Sequence, residues 1–168
     1  MTICSLLFVF AALTPAFVFS NYNGLPTTGE YTVQETSAIL VNEGFPDSFE
    51  TDGSNREVPV HFYYPENAEG EFPLIVFSHG AFGYYQSNVS TYMELASNGY
   101  VVAALDHPHH SMFTKDTSGK TIIVDNAFIS DVMKVSSETN DIPEEEINTT
   151  VNEWLSLRAV DETGFLNK

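Results

Sequence analysis

One βαβ pattern in the middle of the chain constrains the fold more than any other feature. Residues 73–78, PLIVFS, form a continuous apolar run typical of strands that are buried on both faces. After a glycine-containing turn, residues 84–98 carry apolar side chains at helical spacing up to the stop signal Asn98-Gly99. A second buried strand is predicted at 100–106, YVVAALD. Strands joined through a helix lie parallel, so the pattern predicts a parallel sheet within an α/β fold.

The segments on either side of this unit predict further elements. These are short strands at Tyr31–Val33 and Ser37–Val41, a strand at 58–64, a loop HPHHSMFTKDTSGKT after the second buried strand, a helix at 124–139 and a last helix that opens at Pro143. The last helix has an apolar stripe of Ile147, Val151, Trp154, Leu155 and Ala159. Strands 58–64, 74–78 and 101–105 are expected to share one sheet with helices on both faces.

The N-terminus is a separate, apolar segment. Residues 1–20, MTICSLLFVFAALTPAFVFS, contain no charged side chain, which predicts a signal peptide or membrane anchor with a helix at 3–19. Residues 21–57 are expected to be linker and edge strands, and 58–168 the α/β domain. The predicted location is extracytoplasmic, either secreted or held at a membrane through residues 1–20.

Composition excludes several classes of function. The 168 residues include 6 Lys plus Arg against 23 Asp plus Glu, a net charge of −17, which disfavours binding to nucleic acid or to anionic lipid surfaces. The single cysteine, Cys4, excludes internal disulfides and Cys-based zinc clusters. Neither a GxxxxGK[ST] loop nor a GxGxxG loop occurs, so no nucleotide cofactor is expected.

Two short stretches contain side chains or backbone groups that are suited to catalysis or ligand binding. In SHGAFG, residues 78–83, a buried strand runs into a turn that either has no ligand or presents backbone N–H groups to a negatively charged oxygen. In DHPHHS, four side chains suited to zinc fall within five positions: Asp106, His107, His109 and His110. Neighbouring histidines in a loop diverge, however, so a metal-binding module is the lesser alternative.

The motifs in this order resemble the N-terminal half of an α/β-hydrolase. The likeness is greatest to the platelet-activating-factor acetylhydrolase-like and dienelactone-hydrolase-like esterases, and it covers roughly residues 24–166. The matching segments are GLPTTGEYTV, VPVHFYYP, FPLIVFSHGAFG, LASNGYVVAALDHPHHS and, more weakly, WLSLRAVDETGFLN. The resemblance implies a three-layer fold with a mostly parallel sheet, preceded here by the apolar helix.

The resemblance also implies an activity and a site. The activity is hydrolysis of carboxylic esters by a serine, without metal or organic cofactor, on short acyl esters or a phospholipid of the platelet-activating-factor type. The backbone N–H of Ala81 would belong to the oxyanion hole, with Gly80 permitting the sharp turn. His79, Phe82 and Gly83 would support that turn. His107 would lie at the rim of the substrate site.

The triad expected of such an esterase is not found in the sequence. No G-x-S-x-G motif occurs, and Ser78 and His79 are neighbours on a strand whose side chains point to opposite faces. Nucleophile, acid and base are therefore expected after Lys168, and the chain is predicted to be an inactive fragment. The alternative is a non-catalytic secreted or membrane-anchored protein whose binding surface includes Trp154 and the Tyr84-Tyr85 pair.

Charged residues of the last helix are given structural roles. Glu144, Glu145 and Glu146 open the helix, where acidic side chains favour its dipole, and are interpreted as a solvated cluster. Arg158 and Asp161 are three residues apart on the same helix and are predicted to form an ion pair.

Overall fold

The computed structural model describes residues 25–137 and 142–167, together with Thr14. Its elements in chain order are β1 (Val33–Pro46), β2 (Asn55–Pro65), β3 (Leu74–Ser78), α1 (Val89–Ser97), β4 (Val101–Leu105), β5 (Phe113–Lys115), β6 (Thr121–Ile123), α2 (Asn126–Val135) and α3 (Glu144–Leu166). Apart from Thr14, the predicted signal peptide or anchor lies outside the described residues. Among the described helices, none combines the length and the apolar character needed to cross a bilayer.

Four strands form one sheet in the order β1-β2-β4-β3. Strands β3 and β4 run parallel, from the pair Leu74–Val101 to the pair Ser78–Leu105, as the βαβ pattern predicts. Strand β2 pairs antiparallel with β4, with Val60 opposite Leu105, and β1 pairs antiparallel with β2. The prediction that the strands near 58–64, 74–78 and 101–105 share one sheet is confirmed.

Helices cover both faces of this sheet, which gives the expected three layers. On the α1 face, the buried cluster consists of Tyr63, Tyr92, Ala96, Val102 and Ala104. On the opposite face, it consists of Val58, Val60, Ala103 and Leu105, against which Phe165 of α3 packs. Successive residues of β4 thus alternate between the two clusters, because side chains along a strand point to opposite faces. A continuous apolar strand such as VVAAL results from this burial on both sides.

Several elements differ from the prediction in extent. The two short strands expected at 31–33 and 37–41 are one long strand, β1, because it pairs with β2 from Val33 opposite Pro65 onward. The predicted loop after β4 contains the β5–β6 hairpin. The helix predicted over 84–98 begins as a 3₁₀ turn at Tyr85–Asn88 and becomes α-helical only at Val89.

Helix α3 turns inward only part of its predicted apolar stripe: Ile147, Val151 and Trp154 are half-buried, whereas Leu155 and Ala159 are exposed. Leu155 is 57% exposed, whereas Asp161 is 1% exposed. The predicted Arg158–Asp161 ion pair is wrong, because the Asp161 carboxylate binds Arg56 of β2 and Arg158 donates to the His79 carbonyl. Trp154 meets the ring of Phe128 of α2 edge to face, with ring centroids 5.1 Å apart.

Candidate active site

The chemistry-bearing residues meet at the carboxyl end of the two parallel strands. Ser78 is the last residue of β3, and Asp106 and His107 directly follow β4. Parallel strands end at the same edge of a sheet, which places these side chains together. The Ser78 Oγ lies 2.7 Å from His107 Nε2, within hydrogen-bonding distance.

His107 links this serine to helix α3. Its Nδ1 lies 2.9 Å from Asp161 Oδ2, and the imidazole is fully buried. Because the carboxylate can only accept, Nδ1 carries the proton and Nε2 of the neutral ring accepts from the Ser78 hydroxyl. Burial lowers the pKa of His107, and the Asp161 carboxylate opposes that effect only in part. His107, which the resemblance placed at the rim of the substrate site, is therefore a buried residue that hydrogen-bonds to Ser78 and Asp161.

A buried arginine holds the carboxylate in place. The Arg56 Nε donates to Asp161 Oδ1 at 2.5 Å, and its Nη2 donates to Oδ2 at 3.0 Å. The same guanidinium donates to the Pro108 carbonyl at 3.1 Å and to Asp47 Oδ2 at 3.4 Å. Burial alone would raise the pKa of Asp161, but the hydrogen bonds from His107 and Arg56, with the charge of Arg56, hold it below its usual value.

His79 anchors the turn that follows β3. Its Nε2 accepts from the His107 backbone N–H at 3.2 Å and lies 2.7 Å from Ser111 Oγ. A backbone N–H can only donate, so the proton is on Nδ1, which donates to the Gly80 carbonyl at 2.7 Å. Burial lowers the pKa of His79 to about 4, so the ring is neutral near pH 7. Arg158 of α3 donates to the His79 carbonyl.

The turn leaves the backbone donor of Ala81 open. The Phe82 N–H donates to the His110 carbonyl at 3.2 Å, and the Gly83 N–H donates to the Gly80 carbonyl at 3.1 Å. No described residue accepts from the N–H of Ala81, the exposed residue directly before Phe82. The turn of SHGAFG is thus fixed around a backbone N–H that remains available.

Glycine has a different role in this turn from the one the sequence suggests. The left-handed backbone is at Phe82, with φ of +61°, and not at Gly80. A side chain at Gly83 would place its Cβ 3.0 Å from the Cβ of His79, so a larger residue there requires His79 or the turn to shift. At Gly80 an added Cβ would meet no atom within 4 Å.

The histidine-rich loop does not assemble a metal site in the described part of the chain. Its four side chains contact separate partners: Asp106 accepts from the Tyr85 N–H, His107 bonds Ser78 and Asp161, His109 stacks on Phe49, and His110 stacks on Phe128. No group of three potential metal ligands converges among the described residues.

Sequence reasoning missed the roles of Ser78, Arg56 and Asp161. Asp161 is 54 residues from His107 and 105 from Arg56 along the chain, and neither spacing forms a local motif. One signal was available: His107 follows a buried strand, so an imidazole there needs an internal hydrogen-bond partner.

The order of strands and the site at the carboxyl edge of β3 and β4 are those of an α/β-hydrolase fold. Residues 41–161 match the family model described as platelet-activating factor acetylhydrolase, isoform II. That match spans well over half of the chain, and the chain belongs to this family.

The first of three similar solved structures supports the fold. A ferulic acid esterase from Streptomyces cinnamoneus aligns with a TM-score of 0.52 at 19% identity, over 58% of this chain and 39% of its own. Brefeldin A esterase, a bacterial homologue of human hormone sensitive lipase, aligns at 0.37 and 20% identity, over 66% of this chain and 30% of its own. A cold-adapted esterase from an Arctic intertidal metagenomic library aligns with a TM-score of 0.37 at 22% identity, over 66% of this chain and 41% of its own. This chain thus spans well under half the length of each.

Proposed function

We propose that this chain is the N-terminal part of a serine carboxylic-ester hydrolase and that it contributes one oxyanion donor, the Ala81 N–H. The observation that carries the proposal is the turn after β3. The Phe82 and Gly83 N–H groups of that turn are bonded to backbone carbonyls, whereas no described residue accepts from the Ala81 N–H. Membership of the acetylhydrolase family supports hydrolysis of an ester as the reaction.

The donor acts on charge that develops during the reaction. When a nucleophile attacks an ester carbonyl, its oxygen becomes negative, and a fixed N–H stabilises it without reorganising. One such donor contributes about 3 kcal/mol to the transition state. His79, Gly80, Phe82 and Gly83 hold the donor in position, and no metal or organic cofactor is needed for this step.

The nucleophile is proposed to come from a further strand beside β3. Within the described residues, β3 is an edge strand of the sheet, and its Leu74 is 47% exposed. Parallel strands are usually covered on both sides, which favours another strand at this edge. A G-x-S-x-G turn on that strand would place a serine beside the carboxyl end of β3. Without it, the 168-residue chain is proposed to be inactive.

One observation favours a second candidate, in which Ser78 is itself the nucleophile. Ser78, His107 and Asp161 are joined at 2.7 Å and 2.9 Å in the donor order of a catalytic triad. Three features oppose it. The imidazole is fully buried, the order along the chain is Ser-His-Asp where this fold uses Ser-Asp-His, and Ser78 lies on a regular strand with no left-handed backbone.

A fluorophosphonate probe, which labels serines activated by a base, separates the two candidates. We expect the 168-residue chain to remain unlabelled and to cleave 4-nitrophenyl acetate no faster than buffer does. Label that maps to Ser78 by mass spectrometry and is lost in Ser78→Ala would overturn the first candidate in favour of the second.

The oxyanion role requires a chain that continues into a G-x-S-x-G strand. There, Ala81→Pro removes the N–H and is expected to lower kcat by about 10²-fold to 10³-fold. Ala81→Gly keeps the N–H and is the matched control, with kcat close to that of the parent. If both variants keep the parent rate and the far-ultraviolet circular dichroism is unchanged, the turn has no catalytic role.

Substrate and location are parts of the same proposal. A short acyl ester, including a phospholipid of the platelet-activating-factor type, is consistent with the family, and hydrolysis of esters of increasing acyl length tests it. The uncharged residues 1–20 support an extracytoplasmic location. Fractionation of cells that express the chain with and without residues 1–20 tests that location, and equal distribution of the two forms would contradict it.

A further inference from the structure

A cavity lies on the α1 face of the sheet, beside the stacked rings of His61 and Tyr85. Its volume is about 590 Å³. It is lined by Ser37, Ala38, Ile39, Pro59, His61, Tyr85, Asp106, Phe113, Thr114 and Lys115. Strand periodicity places Ser37 and Ile39 of β1 on one face with His61 and Pro59 of β2, since Ser37 pairs with His61 and Ile39 with Pro59.

The cavity has a flat aromatic wall. The rings of His61 and Tyr85 stack with centroids 3.5 Å apart and planes at 7°. Phe113 of β5 is 45% exposed, and its ring centroid lies 5.2 Å from that of Tyr84. Flat π faces at a partly apolar cavity favour a planar aromatic ligand over a branched aliphatic one.

A lysine without a carboxylate partner among the described residues lies beside this wall, which is unusual for so acidic a protein. Each of Arg56, Lys120 and Lys134 has a carboxylate within ion-pair distance, and Arg158 donates to a carbonyl. Lys115 has no ion pair with any described carboxylate, although the chain has a net charge of −17. It lies two residues from Phe113, so both side chains leave β5 on the same face.

The one carboxyl group at the cavity, Asp106, does not exclude an anion. Asp106 is 3% exposed, its Oδ1 accepts from the Tyr85 N–H at 2.6 Å, and its Oδ2 lies 3.7 Å from His61 Nε2. Burial raises the pKa of this group to about 7, so a large fraction is neutral under mildly acidic conditions.

We propose that this cavity binds a small aromatic carboxylate, with the ring against His61 and Tyr85 and the carboxylate at Lys115. The binding is independent of the proposed esterase reaction, since it uses neither Ala81 nor the residues of its turn. Recognition combines apolar burial of the ring with a charge-assisted hydrogen bond to the ammonium group.

Benzoate, benzamide and benzyltrimethylammonium are the probes. Each is titrated into the ¹⁵N-labelled chain at about pH 6 in physiological salt, which screens the overall negative charge. We expect benzoate to shift the amide resonances of β5 and of the 3₁₀ turn, with an affinity about tenfold above that of benzamide. Equal affinities for the two, tighter binding of the cationic probe, or no shift at tens of millimolar benzoate would each overturn the proposal.

Two lysines of the same hairpin region provide matched variants. Lys115→Gln should weaken benzoate binding about tenfold and leave benzamide unaffected. Lys120→Gln removes an equal charge at a residue that pairs with Glu50 and is 58% exposed, and it should leave both affinities unchanged. Equal losses of benzoate affinity in the two variants would mean that the affinity depends only on the net charge of the protein, which would refute a site at Lys115. Both side chains are exposed, so both variants are expected to fold.

Discussion

Asp161→Ala provides the sharpest test of the buried network that connects β2, the loop after β4 and α3. Arg56 and Asp161 are each 1% exposed, and the carboxylate receives two hydrogen bonds from Arg56 and one from His107. Its removal leaves the guanidinium with Asp47 at 3.4 Å as its remaining carboxylate partner. Breaking a buried ion pair on one side costs about 3–5 kcal/mol, so we expect a loss of that size in the free energy of unfolding.

The double variant Arg56→Met with Asp161→Leu separates the charge effect from simple loss of packing. The double variant removes the buried guanidinium together with the carboxylate that binds it twice. Asp47 loses its arginine but still accepts from the Phe49 N–H and lies 3.7 Å from His109 Nε2, so the unfolding free energy should exceed that of Asp161→Ala. Urea unfolding followed by Trp154 fluorescence and by far-ultraviolet circular dichroism measures both values. A loss below about 1 kcal/mol for Asp161→Ala, or a double variant less stable than the single one, would refute the reasoning.

Other substitutions examine contacts of different kinds. Asp106→Asn should raise the free energy of unfolding by an amount that grows as pH rises from 3.8 to about 7. Burial raises the pKa of Asp106 in the folded state from its ordinary value of 3.8 to about 7, so across that interval the unfolded wild type ionises first and its folded state loses stability. A gain independent of pH would show that this carboxyl titrates normally. Gly29→Ala places a Cβ 1.9 Å from the Ser97 carbonyl oxygen, whereas Gly80→Ala meets no atom within 4 Å. Thermal melts should therefore show a large loss for the first variant and little change for the second, and similar melting temperatures would contradict this packing.

The parallel pair β3–β4 could be predicted because each strand is a short apolar run and the linking segment has helical spacing. Burial on both faces requires such runs, and the Asn98-Gly99 stop fixes where the helix ends. The Gly99 backbone is left-handed, with φ of +88°, a conformation that glycine adopts readily after the end of a helix. Local chemistry of this kind can be read directly from sequence.

The buried charges could not be predicted in the same way. A helix such as α3 is assigned an inner face from its apolar residues, and Leu155 was assigned to that face although it is exposed. The orientation is set instead by Arg56, which comes from a strand 105 residues earlier and requires a carboxylate partner inside the protein. Such a pairing depends on tertiary contacts, so the sequence alone favoured the local Arg158–Asp161 pair.

The same network explains how the turn around Ala81 can be ready before an anion is present. The Asp161 carboxylate orients His107, whose backbone N–H donates to His79, and the neutral His79 ring in turn donates to Gly80. Arg158 holds the His79 carbonyl from the same helix. An oxyanion donor is effective when its position is fixed by folding and needs no rearrangement during the reaction. Loss of Asp161 should therefore loosen this turn before it unfolds the sheet, and faster hydrogen exchange at Phe82 and Gly83 than at β4 in Asp161→Ala would reveal it. Equal acceleration at both places would mean that the network supports the whole fold and not the turn in particular.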